Sequence, residues 1–128
     1  MYPIVIEKTK DKPKIIFDKT NGEFLIEGVS MCEDAISFYA PIFAWIKQYA
    51  LEPNPKTLLK FRLFYFNTAS SKMILDIMLR FEEIYHMGND VKIEWYYRSD
   101  DEDMEESGDI YASRLELPVI KIEDDTIQ

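Results

Sequence analysis

Residues 58–78, LLKFRLFYFNTASSKMILDIM, change period halfway along, and that change decides the fold. LLKFRLFYF (58–66) is dense in aromatic and aliphatic residues and reads as a strand long enough to cross the middle of a sheet. Beyond Asn67 the apolar residues Met73, Ile74, Ile77, Met78, Phe81, Ile84 and Tyr85 recur at three- and four-residue spacings, the stripe of an amphipathic helix, and Gly88 is placed to end it. DVKIEWYY (90–97) then reads as a second strand, and a strand reached through a helical crossover runs parallel to its predecessor.

Outward from this β-α-β unit, PIVIEKT (3–9), KIIFDKT (14–20) and EFLIEGVS (23–30) read as three strands. Asn21-Gly22 between the last two is a hairpin signal, because both residues tolerate positive φ. Ile15, Phe17, Phe24 and Ile26 alternate with polar or second-face residues, as in a sheet with one well-packed face. From 34 to 51 the residues Ile36, Tyr39, Ala40, Phe43, Ile46 and Ala50 form a helical stripe, and Pro41 predicts either a helix start near Ala40 or a kink there. Residues 100–115 fit an acid-rich helix capped by Ser99 or Asp100, with Gly108 as its weak point, and PVIKIED (118–124) is a last strand. The expected architecture is one α/β domain over 1–128: a mixed sheet with an N-terminal hairpin and about three helices.

The composition, 47% hydrophobic and 14% aromatic, is that of a chain that folds. Net charge is −9, but seven acids and no base fall in 100–109, so the remaining 15 bases and 17 acids leave the body near −2. No basic cluster is available to neutralise a row of phosphates or to meet anionic lipid, so neither nucleic acid nor a membrane surface is an expected partner. No run reaches the ~18 apolar residues of a membrane span. The N-terminus also lacks the basic and apolar regions of a secretion signal, so the expected compartment is the cytoplasm. Cys32 is alone and forms no internal disulfide; it reads as a small buried apolar residue.

Catalytic machinery is sparse. His86 is the only histidine and sits where a cation suits the end of a helix. One His and one Cys do not assemble a zinc site, and there is no nucleophile elbow, dinucleotide loop or phosphate-binding loop, so no metal or cofactor and no enzyme activity are expected. Glu82-Glu83 and Asp124-Asp125 read as solvated charge, and the aromatics as core.

The hydroxyl-rich turn remains. Thr68 is the natural N-cap of the helix, with Asn67 aiding the turn and Ser70 and Ser71 as first-turn residues; on that reading the chain is a plain interaction module. The same physics admits a second reading. A helix N-terminus at the end of a central strand holds an anion, so a phosphoryl group on Thr68 is accommodated while it changes the surface a partner meets.

LFYFNTASSKMILDIM, with GVSMCEDAISFYAPIFAWI upstream and GNDVKIEWYY downstream, resembles the SiaC family of bacterial regulatory phosphoproteins, whose fold is akin to the STAS domains of anti-sigma-factor antagonists. The resemblance implies a STAS-like domain phosphorylated on the threonine of this turn by a partner kinase and dephosphorylated by a PP2C-type phosphatase. It further implies that the unphosphorylated form binds and activates a target, a diguanylate cyclase in the best-known member. Carried onto this chain, the acceptor is Thr68 within Asn67-Thr68-Ala69-Ser70-Ser71, with Ala69 where other members have serine, and with Lys72 one turn on as a possible phosphate partner. The segment 100–109 is more acidic than that helix usually is in the family.

Overall fold

The computed structural model describes residues 1–128 in the order β1 (Ile4–Ile6), β2 (Lys14–Asp18), β3 (Glu23–Ser30), α1 (Ala35–Tyr49), β4 (Lys56–Phe66), α2 (Thr68–His86), β5 (Asp90–Tyr97), α3 (Glu102–Ser113) and β6 (Val119–Glu123). The six strands lie side by side in chain order; β1, β2 and β3 are antiparallel, and β3 to β6 run parallel. Each helix links two adjacent parallel strands and the sheet always advances in the same direction, so right-handed crossovers put all three helices on one face. The result is the expected mixed α/β sandwich, two layers deep.

Burial follows from this arrangement. Ile15, Phe17, Phe24, Ile26, Leu59, Phe61, Leu63, Val91, Ile93 and Trp95 project from alternate strand positions into the helices and are inaccessible or nearly so. Tyr39, Ile42, Ile46 and Tyr49 of α1 and Ile74, Ile77, Met78, Phe81 and Ile84 of α2 close over them. The opposite sheet face is open, with Arg62 at its centre paired to Glu27 and, at 2.9 Å, to Asp124.

The hairpin forms as expected, but its loop is four residues long. Asp18 pairs with Glu23 and its carboxylate accepts from the Asn21 amide nitrogens, main chain and side chain. α1 occupies the expected segment, but it does not start near Ala40, one of the two outcomes expected of Pro41, and its buried face differs. It begins at Ala35, capped by Asp34, and continues through Pro41; Ser37 and Pro41 are both exposed, so the carbonyl left without a donor is open to water. Its buried stripe is also rotated. Tyr39, Ile42, Trp45, Ile46 and Tyr49 face inward, whereas Ile36 is 73% exposed, Ala40 is exposed and Phe43 is half-buried.

α3 is capped by Asp101, whose carboxylate accepts from the Met104 N–H at 3.0 Å, and neither Ser99 nor Asp100 takes that role. Gly108 is where α3 touches the sheet: a Cβ there would stand 2.5 Å from Trp95 Cδ1. The expected weak point is thus the condition for docking, and the Trp95 indole N–H donates to the Met104 carbonyl at 2.8 Å.

One irregularity in the ladder sets how β4 runs into α2. Gly28 pairs with Leu63 but Val29 pairs with Tyr65, so Phe64 is an extra residue in β4, a β-bulge. Gly28 has φ +107°, a conformation costly for any residue with a Cβ. Past the bulge the alternation is reset: Phe64 and Tyr65 are about half exposed, and Phe66 turns inward against Trp95, ring centroids 6.0 Å apart.

Candidate functional site

β4 ends at Phe66 and α2 begins at Thr68, leaving Asn67 as the whole connection. Asn67 continues the pairing with β3 by donating its N–H to the Ser30 carbonyl at 3.0 Å. Its backbone is extended, at φ −88° and ψ 175°, and its side-chain oxygen accepts from the Ser70 N–H at 2.9 Å. These are the properties of an N-cap. The cap is therefore Asn67, and the expectation that Thr68 caps the helix is corrected: the strand ladder holds residue 67 extended, so Thr68 is the first residue with helical geometry. The plain-module reading loses the role it gave to Thr68.

The hydroxyls of the turn have three different fates. Ser70 is fully buried, and its hydroxyl accepts from Ser30 Oγ at 2.7 Å. Ser30 Oγ lies 2.7 Å from the Tyr39 hydroxyl. Ser30 has one proton to give and gives it to Ser70, so Tyr39 is the donor in this contact; burial raises the Tyr39 phenol pKa and keeps that proton in place. Ser71 is half-buried and donates to the Thr68 carbonyl at 2.7 Å. The Ser71 carbonyl accepts from the Tyr111 hydroxyl at 3.1 Å, tying the turn to α3; the Tyr111 pKa is pushed up to about 12 by burial. Thr68 is exposed and its hydroxyl has no hydrogen bond, while Ala69 and Lys72 beside it are also exposed.

The local field favours an anion. The Thr68 and Ala69 N–H groups have no acceptor in the fold, as the first donors of a helix do not. α1 and α3 are capped by carboxylates, Asp34 and Asp101, but α2 is capped by a neutral amide and has no acid in its first turn. Its partial positive charge is thus unanswered within the chain. Lys72, four residues on from Thr68, has no carboxylate within ion-pair distance.

The remaining candidates do not gather here. His86 is at the opposite end of α2, its ring nitrogen 3.9 Å from Glu116. Cys32 is buried, burial raises its thiol pKa, and it offers the turn its carbonyl, 3.5 Å from the Asn67 side-chain nitrogen. Of the acids in 100–109, Glu105 and Asp109 pair with Lys121 at 3.2 and 2.9 Å. Sequence reasoning missed Ser30, Tyr39 and Tyr111 as residues that fasten the turn. No helix is long and apolar enough to cross a membrane.

This turn lies in a chain with well-defined relatives. A protein from Pseudomonas aeruginosa strain UCBPP-PA14 is 25% identical over 92% of this chain and 94% of its own length. Crystallised apo-SiaC from Pseudomonas aeruginosa is 25% identical and superposes with a TM-score of 0.86 over 94% of this chain and 98% of that one. The structure of the diguanylate cyclase SiaD in complex with its activator SiaC, from the same organism, matches at 24% identity with a TM-score of 0.87, over 94% of this chain and 99% of that one. The model of the SiaC family of regulatory phosphoproteins matches residues 6–124. With that match spanning nearly the full sequence, the chain belongs to the SiaC family, as a regulatory protein and not an enzyme.

Proposed function

We propose that the chain is a cytoplasmic phospho-switch whose acceptor is Thr68, phosphorylated by a dedicated protein kinase and reset by a PP2C-type phosphatase. In its unphosphorylated form it binds and activates a target protein, and the activation of the cyclase SiaD by SiaC offers the precedent of a diguanylate cyclase. The observation that carries this reading is the contrast among the hydroxyls: Ser70 is buried, Ser71 is engaged, and Thr68 is exposed and free at a helix end with two open N–H groups and no local acid.

Phosphorylation there adds a charge of about −1.5 to −2 to an exposed surface. The unpaired N–H groups and the helix dipole receive it, so the domain keeps its fold while the docking surface around Asn67, Ala69, Ser71 and Lys72 changes sign. Ser70, expected to share that surface, is fully buried beneath it and does not meet a partner. The switch operates by like-charge repulsion at an interface.

Intact-mass measurement of the chain from its own cell, with and without phosphatase treatment, tests the assignment. One phosphate mapped to Thr68 and absent from Thr68→Ala is the expected result. A phosphate on Ser71 with Thr68 unmodified would overturn it, as would a Thr68→Asp protein that binds and activates its cyclase as the wild type does.

A further inference from the structure

Between α2 and α3 lies an open cleft of about 270 Å³ whose wall includes Phe66, the last residue of β4, and Ser71 and Lys72 of the first turns of α2. Phe66, Leu75, Ile110 and Tyr111 supply its apolar surface, with Lys72 on α2 and Arg114 at the end of α3. No carboxylate lines it, although α3 is the most acidic segment of a chain of net charge −9. Glu105 and Asp109 are drawn away toward Lys121 on β6. Every ion pair of the protein involves Arg62, Arg80, His86, Arg98 or Lys121, so Lys72 and Arg114 both lack a partner. The α3 dipole accounts for a cation at that helix end but supplies no acceptor for the guanidinium donors. Ile110, 55% exposed, is an uncovered apolar group lining the same cleft as the two charges.

We infer that this cleft docks a segment of the regulated partner protein that carries a carboxylate beside one or two apolar side chains, and that phosphothreonine at position 68 competes with that carboxylate for Lys72. A foreign chain fits better than a second copy, which brings the same net charge of −9 and is repelled on approach. It also fits better than a small anion. The cations stand on exposed flexible stems, and no buried polar group is left unpartnered to converge on a small ligand. The competition follows from spacing. Residues four apart on a helix are neighbours, and an anion N-terminal to a cation at that spacing is the favourable order. The competition, though not the cleft itself, rests on the reading of Thr68 as acceptor.

The test is photo-crosslinking in the native cell, with the full chain carrying benzoylphenylalanine at Ile110, or at Ile36 or Val5 as controls, and sequencing of the captured peptide. An adduct at Ile110 to a segment with an Asp or Glu among apolar residues is expected, falling about tenfold in Lys72→Glu/Arg114→Glu but not in Lys47→Glu. No adduct at Ile110, an adduct to a second copy of this chain, or an adduct indifferent to Lys72→Glu/Arg114→Glu overturns the cleft. Thr68→Asp separates the two ideas. An Ile110 adduct lost in Lys72→Glu/Arg114→Glu but unchanged by Thr68→Asp keeps the cleft and refutes the switch. An adduct at Ile36 alone that Thr68→Asp abolishes keeps the switch and refutes the cleft.

Discussion

Replacing Asn67 and Thr68 separately by alanine distinguishes the residue that holds the turn from the one that the turn displays. In Asn67→Ala the Ser70 N–H, part-buried and bonded to the Asn67 oxygen at 2.9 Å, loses its acceptor. Loss of an N-cap costs ~1 kcal/mol, within a range of about 0.5–2. The restricted access of water to Ser70 places this case toward the top of that range, since an unsatisfied buried donor costs ~1–3 kcal/mol. The second contact, to the Cys32 carbonyl at 3.5 Å, is at the limit of hydrogen-bond length and adds little. In Thr68→Ala the hydroxyl removed has no partner and the side chain is exposed, while alanine is the better helix former by up to ~0.7 kcal/mol. The expected outcome is a loss of ~1–2 kcal/mol for Asn67→Ala and no loss for Thr68→Ala. For a domain of this size that is a fall in Tm of about 4 °C per kcal/mol. Urea denaturation of the unphosphorylated proteins, monitored by far-UV circular dichroism, measures both. A loss of ~1 kcal/mol or more in Thr68→Ala with Asn67→Ala unaffected would show that the threonine is the cap.

Three further outcomes are expected. Ser30→Ala strips the shared partner from two buried hydroxyls, those of Tyr39 and Ser70, and should cost ~1–3 kcal/mol; Ser30→Ala/Tyr39→Phe/Ser70→Ala, which leaves no orphan, should cost less than the single change, as urea midpoints will show. Gly108→Ala drives a methyl group to 2.5 Å from Trp95 Cδ1 and should cost ~1–3 kcal/mol, with a change in tryptophan emission as α3 lifts from the sheet; unchanged emission and stability would contradict that docking. Asp124 is held down to about 2 by hydrogen bonds from the Thr126 hydroxyl and N–H, and then by Arg62. An unfolded aspartate titrates near ~4, so the stability Asp124 contributes is complete above that pH and is lost as pH falls through about 2. Asp124→Asn should therefore show a shallower decline in urea midpoint across that interval than the wild type.

The elements that can be read from the sequence are those whose signal is local. The hairpin around Asn21-Gly22, strand 90–97 and the helix after Asn67 all rest on periods within one segment, and each appears where expected. The expected phase of α1 is wrong because Lys47 is its only charged residue: Ile36, Ala40 and Phe43 are as apolar as Ile42, Trp45 and Tyr49, and periodicity alone cannot say which stripe meets the sheet. Asn67 and Thr68 are both competent caps, and the choice between them is made by the Ser30 carbonyl on a neighbouring strand. Ser70 reads as an ordinary first-turn serine because its partner Ser30 is 40 residues away. Gly108 reads as a helix defect because the indole that requires it is on a strand. In each case the deciding contact is tertiary. Thr68 is a candidate through the resemblance of its turn to the SiaC family; the local pattern alone reads it as the helix cap, a role the structure gives to Asn67.

The single extra residue in β4 has a consequence for how such a protein can change over generations. The location of Thr68 depends on main-chain arithmetic: one bulged residue at Phe64, a glycine opposite it at φ +107°, and one linking residue before the helix. An inserted or deleted residue between Leu63 and Asn67 would turn Phe66 from the core to solvent and rotate the start of α2, whereas replacement of the exposed Phe64 or Tyr65 leaves the count intact. Side chains along this edge can therefore be exchanged freely while Thr68 keeps its place by counting.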